Sequence, residues 1–522
     1  MLLLEQIGII KKFLTMLDTS NPNNYTYQTN HLLIEILGGI RLNHLDRLRV
    51  TISIKKVKDH NKLRHNLDLY NDNQVEKLVR NTAERLEIGT SIVRRCLQEL
   101  INELENYRLQ QLEQEEANQI IVKELTTGEK KEAITFLKSK DLLKKTNELI
   151  GKSGVIGEET NRLLMYLIFT SRKANNPLHC ISLGSSGAGK THLQSKVAEL
   201  IPQEDKIEIT VLSENAFYYF NRTELQNKLI LIEDLDGAES VLYPLRELQT
   251  KRRITKTVVH KDTRGNTKTI HLTVEGPVSV SGCTTKEQIY EDNSNRSFLL
   301  YIDESAEQDE RIMQYQRKIS AGKVNIESEI QAKITLQNMQ RCLTNLAVRN
   351  PYAEVLKIPN EVFKPRRTNA HYLQFIEAVT FYKQYQREKK YDEQTGEEYI
   401  ETTIEDIQEA NKLLSEILLR KSDTISGACR NYFEVLKAHL QKEHQTTFSN
   451  KQISFMLRIP LSTVKRYHLQ LINTQRIQLR EKDKTGRHLY EITDYKEYQE
   501  LKKTIVTVLD KAVAQLNGSI EA

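Results

Sequence analysis

The sequence predicts an α/β protein whose central parallel sheet is covered by helices on both faces. Apolar runs recur at residues 178–183, 207–212, 229–232, 277–280 and 298–302, and helical stretches separate them. This alternation is typical of parallel sheets, because each connecting helix lies on one face of the sheet. A glycine-rich loop after the first run and two carboxylates after the third support the same fold class.

The first apolar run is followed by Gly-Ser-Ser-Gly-Ala-Gly-Lys-Thr, the complete spacing of a phosphate-binding loop. Gly184 and Gly189 let the backbone N–H groups turn toward phosphates. Lys190 supplies a charge for the β- and γ-phosphates, and the Thr191 hydroxyl ligates Mg²⁺. A helix over residues 192–200 would point its N-terminus at the same anion. The predicted loop for ATP and Mg²⁺ is Gly184, Ser185, Ser186, Gly187, Ala188, Gly189, Lys190 and Thr191.

The third apolar run, Leu-Ile-Leu-Ile, ends in Glu233 and Asp234. A buried strand that delivers acids at its carboxyl end can hold Mg²⁺ and polarise an attacking water. Both residues are therefore candidate metal ligands and catalytic residues. Two assignments stay open: Asp234 holds the metal and Glu233 the water, or the roles are exchanged. Asp236 is a third acid nearby.

Composition sets outer limits on the class of protein. A chain of 522 residues corresponds to roughly two to four domains. No apolar run approaches the roughly 18–20 residues of a membrane span, and residues 1–17 have the spacing of an ordinary helix, without a signal-peptide cleavage site. The five cysteines are scattered singly, which argues against a disulfide framework or zinc site and fits a cytoplasmic protein.

Shifts in pattern along the chain predict six segments. Alternation at residues 49–55 indicates a strand within an otherwise helical N-terminal region. The predicted segments are a mostly helical N-terminal domain (1–115), a charged helical linker (116–145), the nucleotide-binding core (146–305), a helical linker and lid (306–440), a winged helix-turn-helix (441–500) and a C-terminal helix (501–522).

A basic β-hairpin is predicted inside the nucleotide-binding core. After a helix at residues 242–249, two alternating runs flank a Gly-Asn tip at residues 265–266. Residues 251–275 hold seven Lys or Arg against two acids. Such a hairpin suits contact with a phosphate backbone, and a solvated surface hairpin is the alternative. The side chains we expect to contact DNA are those of Lys256, Lys261, Arg264 and Lys268.

Two further strands carry polar residues where a nucleotide can be sensed. The run at 277–280 leads to Thr284 and Thr285, and Arg296 precedes the last strand. A polar residue at a strand tip can contact a γ-phosphate. An arginine before the next strand can reach a neighbouring subunit's nucleotide, as arginine fingers do in trans.

With these motifs, residues 150–305 resemble AAA+ ATPases of the branch with a hairpin before the sensor-1 strand. This branch includes superfamily 3 viral helicases and MCM helicases. Ile232-Glu233-Asp234 looks like the acidic motif of polyomavirus large T antigens. The stretches at 49–70 and 242–261 are similar to bacterial mobile-element primases or primase-associated helicases. This chain has neither a zinc finger nor a primase module, so priming activity is not expected.

The resemblance implies roles for individual residues. Thr284 or Thr285 is similar to sensor 1, although many relatives use Asn there, and Arg296 looks like the arginine finger. Arg366 or Arg367, at the start of a helix near residue 368, resembles a sensor-2 arginine of the helical lid, with Arg367 chosen as the nucleotide contact. A surface charge at a helix end is the alternative.

The C-terminal region predicts a winged helix that binds DNA. A helix at 450–457, a turn and a helix at 463–471 form a helix-turn-helix, and two alternating runs follow as the wing. Residues 448–490 hold nine Lys or Arg and two acids. Protein contact is the alternative to DNA. Predicted DNA contacts are Lys465, Arg466 and His468 on the second helix and Lys482, Lys484 and Arg487 on the wing.

Together these features predict a ring-forming, DNA-translocating AAA+ ATPase, expected as a hexamer, which serves replication of a plasmid, phage or mobile element. A single strand would pass through the pore and a duplex would bind the winged helix. A primase or another replication protein is a possible further partner, and no membrane is involved. The main rival is an ATPase switch that does not unwind DNA, such as a helicase loader or a transposition or defence regulator. A polymerase-remodelling regulator is disfavoured, because its Gly-Ala-Phe-Thr-Gly-Ala loop is absent, and a scaffold ATPase is a third rival.

Overall fold

The computed structural model describes residues 16–21, 23–42, 47–57, 61–117, 123–210, 215–236, 242–261, 267–286, 296–482 and 486–520. The chain divides into two compact units, residues 1–122 and 123–522. Residues 1–15 of the helix predicted at 1–17 lie outside the described residues. Met16 and Leu17 belong to a strand instead.

The first unit is a five-stranded antiparallel meander followed by two helices. Alternate side chains such as Tyr27, Ile34 and Ile52 are buried on one face, where they form a core with the helices. Helices begin only at residue 72, so the mostly helical prediction does not describe the five short strands before it. The elements are β1 (Met16–Asp18), β2 (Asn24–Gln28), β3 (Leu32–Leu37), β4 (Arg49–Lys56), β5 (Leu63–Asp68), α1 (Asp72–Leu86) and α2 (Thr90–Ala117).

The second unit contains the predicted parallel sheet, whose strands lie in the order β12 (Phe298–Tyr301), β6 (His179–Leu183), β11 (Val278–Thr284), β8 (Lys228–Ile232) and β7 (Lys206–Ile209). Its apolar side chains enter two cores, one on each face of the sheet, so the predicted α/β fold class is confirmed. The elements are α3 (Thr127–Leu137), α4 (Leu142–Lys152), α5 (Glu159–Thr170), β6 (His179–Leu183), α6 (Lys190–Ala198), β7 (Lys206–Ile209), β8 (Lys228–Ile232), α7 (Leu242–Lys251), β11 (Val278–Thr284) and β12 (Phe298–Tyr301), with 3-10 turns at Ser171–Lys173, Gln203–Asp205 and Ala216–Tyr219.

The predicted hairpin is present between α7 and β11. Its strands, β9 (Arg253–Lys261) and β10 (Thr267–Glu275), pair antiparallel from Arg253 with Glu275 to Lys261 with Thr267. Ile254 and Val274 are buried at its base and anchor it to the sheet core. The predicted Gly-Asn tip lies outside the described residues.

A helical region follows the sheet, as predicted, but it also holds a small three-stranded sheet that the sequence pattern did not reveal. These strands are only two to four residues long, which is too short for an alternating pattern. The elements are α8 (Ala306–Ser320), α9 (Ile326–Cys342), β13 (Ala347–Arg349), α10 (Pro365–Tyr382), a 3-10 turn (Gln384–Gln386), β14 (Lys390–Tyr391), β15 (Glu398–Glu401) and α11 (Ile404–Ser422).

The last region has two consecutive helices joined by a short turn, then a two-stranded hairpin. Its own core includes Phe433, Ile453, Val464 and Leu471. The elements are α12 (Gly427–Lys442), β16 (Thr447–Phe448), α13 (Asn450–Met456), α14 (Leu461–Asn473), β17 (Ile477–Lys482), β18 (His488–Ile492) and α15 (Glu497–Ile520). Across the described part of the chain, the helices are too short or too polar to cross a bilayer.

Candidate functional site

The phosphate-binding loop leaves the carboxyl end of β6, whose five residues are all buried. Gly189 caps α6 with φ 90°, a backbone conformation that L residues rarely adopt. The Lys190 Nζ donates to the carbonyl oxygens of Gly184 at 3.0 Å and Ser185 at 2.6 Å. The ammonium group therefore lies inside the loop, where phosphates would otherwise meet only backbone groups.

Gln194 on α6 ties the loop helix to β8 and β11. Its Nε2 donates to the carbonyl oxygen of Ile232 at 3.2 Å, and its Oε1 accepts from Ser281 Oγ at 2.8 Å. Ile232 ends β8 and Ser281 lies on β11. Gln194 therefore fixes the loop helix against the acid-bearing strand β8 and against β11. No sequence motif marks this role of Gln194.

Glu304 is a second residue that the motifs missed. It follows β12, and its Oε1 accepts a hydrogen bond from the Ser185 backbone N–H at 2.6 Å. A Cβ atom on Gly184 would lie 3.0 Å from the same oxygen. The carboxylate therefore braces the start of the loop, and any side chain at position 184 would have to displace it. The signal in the sequence is the Asp-Glu pair that follows the apolar run at 298–302.

The acidic pair lies at the same edge of the sheet, directly after β8. Glu233 and Asp234 are both exposed. The buried thiol of Cys283 on β11 distinguishes them: burial raises its pKa to about 11, the Thr191 hydroxyl and Lys190 act to lower it, and Asp234 acts to raise it. Asp234 and the predicted metal-ligating hydroxyl therefore both act on the same thiol, and a hydroxyl with a carboxylate is a donor set that suits Mg²⁺.

Asp236 clamps the tip of β11. Its carboxylate accepts from Thr284 Oγ1 at 2.7 Å, from Thr285 Oγ1 at 2.9 Å and from the Thr285 N–H at 3.3 Å. Burial acts to raise the pKa of Asp236, but these hydrogen bonds outweigh it and hold the pKa below its usual value. Both predicted sensor hydroxyls therefore donate to Asp236 in this state.

The arginines predicted to contact nucleotide lie at the opposite edge of the sheet. The Arg296 Nε donates to Thr250 Oγ1 at 3.0 Å. Burial of His179 lowers its pKa to about 3, and the positive charge of Arg296 contributes to the same shift. His179 begins β6, whereas the phosphate-binding loop follows the end of that strand. Arg296 is thus far from the loop of its own chain, as an arginine acting in trans would be.

Arg367 also lies at this edge, together with the exposed Arg366 on the same turn of α10. The His371 ring packs 5.3 Å from the Phe298 ring at the start of β12. Burial lowers the pKa of His371 to about 3, and Lys421, His179 and Arg367 are close enough to lower it further. The structure therefore does not bring the predicted sensor-2 arginine to the loop in the same chain.

The predicted DNA contacts divide into three groups. Lys465, Arg466, Lys482 and Arg487 are exposed, and Lys256 donates to Asn215 Oδ1 at 2.7 Å. Arg264 and Lys484 lie outside the described residues, as do the side chains of Lys261 and Lys268.

The prediction for His468 is wrong. Its side chain is 1% exposed, shares a 2.6 Å hydrogen bond with the Tyr432 hydroxyl and is joined to Asn450. Burial lowers its pKa to about 4. The residue lies on the core side of α14, so it cannot face DNA.

Comparison with known proteins agrees with this geometry. Residues 124–345 match the family model described as the MTBMA_p00010 P-loop domain. The region is a P-loop NTPase core. The matched range contains the loop, the acidic pair, the hairpin and β11, so the elements described above belong to one nucleotide-binding domain. No curated protein is significantly similar to this chain.

Two solved structures are similar to parts of the P-loop protein. A full-length MCM homolog from Methanopyrus kandleri is 13% identical to this chain, with a TM-score of 0.37. The match covers 58% of this chain and 64% of the MCM homolog. Drosophila ORC bound to DNA is 12% identical with a TM-score of 0.22, covering 74% of this chain and 95% of that chain. At this level of similarity neither structure carries a functional inference.

Substitutions of Glu233 and Asp234 should distinguish the roles of these two residues. We expect Asp234→Asn to weaken Mg²⁺-dependent ATP binding and hydrolysis together, because the electrostatic effects of Asp234 and Thr191 meet at the Cys283 thiol. Glu233→Gln should keep ATP affinity and lower the catalytic rate by about 100-fold or more, as loss of a general base does. Binding of a fluorescent ATP analogue at several Mg²⁺ concentrations, beside steady-state hydrolysis, measures both. Opposite results for the two variants would exchange the roles.

Proposed function

We propose that the chain is an AAA+ ATPase that assembles as a ring and couples ATP hydrolysis to movement along single-stranded DNA. It would act as a replicative translocase or helicase of a plasmid, phage or other mobile element, with the hexamer as the expected assembly. The observation that carries the proposal is the position of the hairpin. It is inserted between the acid-bearing strand β8 and its neighbour β11, which ends in the clamped threonines.

This connection supplies a mechanical link between chemistry and DNA. ATP with Mg²⁺ would be held by the loop, Thr191 and Asp234, and Glu233 would orient the attacking water. Rearrangement at the tips of β8 and β11 on hydrolysis would be transmitted to the hairpin through α7, which leads into β9, and through β11, which follows β10. Because Arg296 lies at the far edge of the sheet, the nucleotide of one subunit would be completed by the arginine of the next.

The C-terminal region supports a second DNA contact. α14 presents Lys465 and Arg466 on its exposed face, and Arg487 is exposed next to β18. A helix of this kind can enter the major groove while the wing meets phosphates. In the proposed function this region holds duplex DNA beside the ring.

A second candidate function is an ATPase switch that recruits a partner without unwinding DNA. The helix-turn-helix also exposes large apolar side chains, with Phe455 86% and Leu469 60% exposed. Exposed apolar residues of this size suit protein contacts. This candidate predicts nucleotide-dependent partner binding with no strand displacement.

The deciding experiment measures ATP hydrolysis with and without single-stranded DNA, followed by strand displacement. We expect DNA to stimulate hydrolysis, and Lys190→Ala to abolish the activity. The double variant Lys261→Ala with Arg264→Ala should lose the DNA-dependent increase, because these cations flank the hairpin tip in the sequence. Hydrolysis that ignores DNA in the wild type would contradict the translocase, whereas stimulation without displacement would favour the switch.

A further inference from the structure

A cavity of about 560 Å³ opens at the base of the hairpin, away from the phosphate-binding loop. It lies between the 3-10 turn Ala216–Tyr219, the end of α7 and the first residues of β9. Its volume falls within the roughly 300–1,000 Å³ of small-ligand sites. The cavity therefore has room for a nucleotide-sized group, and the motifs of the nucleotide site do not account for it.

Two tyrosine rings line this cavity, Tyr218 and Tyr243. The Lys256 Nζ lies 5.5 Å from the Tyr218 ring centroid, and the Arg246 Cζ lies 5.8 Å from that of Tyr243. Contacts of this kind orient an aromatic ring. Tyr243 is 59% exposed, so its ring is accessible for stacking with a ligand in the cavity.

The charges around the rings favour an anionic ligand. Lys251, Arg252 and Arg253 line the cavity together with the carboxylates of Glu247 and Glu275. Glu247 pairs with Lys251 at 2.5 Å and Glu275 pairs with Arg222 at 2.7 Å. Three cations therefore line the cavity against two carboxylates that already have partners, and the net positive charge lies beside two aromatic rings.

The same strand that forms the cavity wall continues into the basic hairpin. β9 starts at Arg253 in the cavity and reaches Lys261 beside the tip. Nine residues of strand span about 27 Å. A polyanion lying along the hairpin would therefore meet cations at both ends and aromatic rings at one.

We propose that this cavity is a binding site for one nucleotide of single-stranded DNA, with the base stacked against Tyr243 and the phosphate held by Arg253. The proposal deepens the proposed function and rests on it, because it places the strand at the hairpin base as well as at the tip. Stacking on tyrosine tolerates every base, so the site suits a protein that moves along DNA regardless of sequence. The competing occupant is the nucleotide of a neighbouring subunit, since Arg296 bonds to Thr250 on the same helix as Tyr243.

The test uses the full-length protein and a fluorescein-labelled oligothymidylate of about 20 nucleotides, read by anisotropy over a series of salt concentrations. Tyr243→Ala should weaken binding by about 5- to 150-fold without changing the salt dependence. Tyr243→Phe should restore most of the affinity, because it keeps the ring. Arg253→Gln should instead lower the slope of log affinity against log salt by about 0.7, the value for one phosphate contact on a single strand.

A matched control and the hairpin-tip variant separate the possible failures. Tyr391→Ala removes a tyrosine that is 66% exposed on a different sheet, and its affinity for the oligonucleotide should equal that of the wild type. Circular dichroism spectra that match the wild type check that each variant folds.

If Tyr243→Ala binds normally while Lys261→Ala with Arg264→Ala does not, the cavity site is overturned and the translocase proposal stands. If the wild type fails to bind the oligonucleotide, both are overturned. If Tyr243→Ala lowers ATP affinity but not oligonucleotide affinity, the cavity belongs to the neighbouring subunit's nucleotide and the proposal is overturned.

Discussion

Replacing Arg296 by alanine is expected to lower the rate of ATP hydrolysis by about 10³- to 10⁵-fold, the range for loss of an arginine finger. The affinity of each subunit for ATP should change little, because Arg296 lies near His179 at the start of β6 and the loop follows its end. The five residues of that strand alone separate the two edges by about 13 Å. Steady-state hydrolysis and binding of a fluorescent ATP analogue measure the two quantities.

Mixing subunits shows whether the arginine acts in trans. A Lys190→Ala subunit keeps Arg296, and an Arg296→Ala subunit keeps an intact loop, so one interface of a mixed ring is complete. We therefore expect two inactive variants to regain part of the activity when mixed. Arg317→Ala is the matched control, since this exposed arginine pairs with Glu310 on α8 and its loss should leave hydrolysis intact. A mixture without activity would argue against sites shared between neighbours.

The parts of the fold that the sequence predicted are those in which a local pattern decides the structure. The four residues Leu229 to Ile232 are apolar because β8 is buried on both faces between β7 and β11. The loop at 184–191 has a fixed spacing because a backbone cradle for phosphate needs glycine at set positions. These features depend on residues that are close in the sequence, so they can be predicted without the tertiary structure.

The features that the sequence did not predict depend on contacts between distant residues. Asp236 binds Thr284 and Thr285 across 48 or 49 positions of chain, and nothing in the spacing marks that pairing. His468 shares α14 with Lys465, but it lies four residues after Val464 and three before Leu471, which are both buried, so it belongs to the core stripe of the helix. The cavity with Tyr243 likewise forms only when three separate segments meet.

A buried ion network joins the helix-turn-helix region to the last helix. Arg430 on α12 is 1% exposed and donates from Nε and Nη2 to the two carboxylate oxygens of Asp423, at 2.6 and 2.9 Å. It also binds Glu434 at 3.0 Å and Glu497, the first residue of α15. Lys437 reaches the same Glu497 carboxylate at 3.2 Å. One guanidinium therefore holds the end of α11, α12 and α15 together.

Replacing Arg430 by methionine should destabilise this region by about 3–5 kcal/mol, because it leaves buried carboxylates without their main partner. Arg476 also contacts Asp423, at 3.2 Å. Because Asp423 keeps this partner in the variant, we expect a loss of stability of about 3 kcal/mol. Hydrogen exchange of the amides of α12 and α14 measures it, and a loss of about 3 kcal/mol speeds exchange roughly 150-fold. Arg480→Met is the matched control. Its ion pair with Glu491 is 54% exposed on the arginine side, and such pairs contribute about 0–1 kcal/mol.

The stability difference between wild type and Arg430→Met should depend on pH. This dependence is an independent check that the difference is electrostatic. Burial acts to raise the pKa of Glu497, but hydrogen bonds from Arg430 outweigh it and hold the pKa below its ordinary value of 4.5. A carboxylate with a lowered pKa in the folded state stabilises the fold above its ordinary pKa, and this contribution is lost as the pH falls through the lowered value. The gap between wild type and Arg430→Met should therefore be full at pH 7 and shrink below about pH 4.5. A gap that stays constant into acid would mean that Arg430 stabilises the region through packing against Tyr498, 4.3 Å from its guanidinium carbon, rather than through charge.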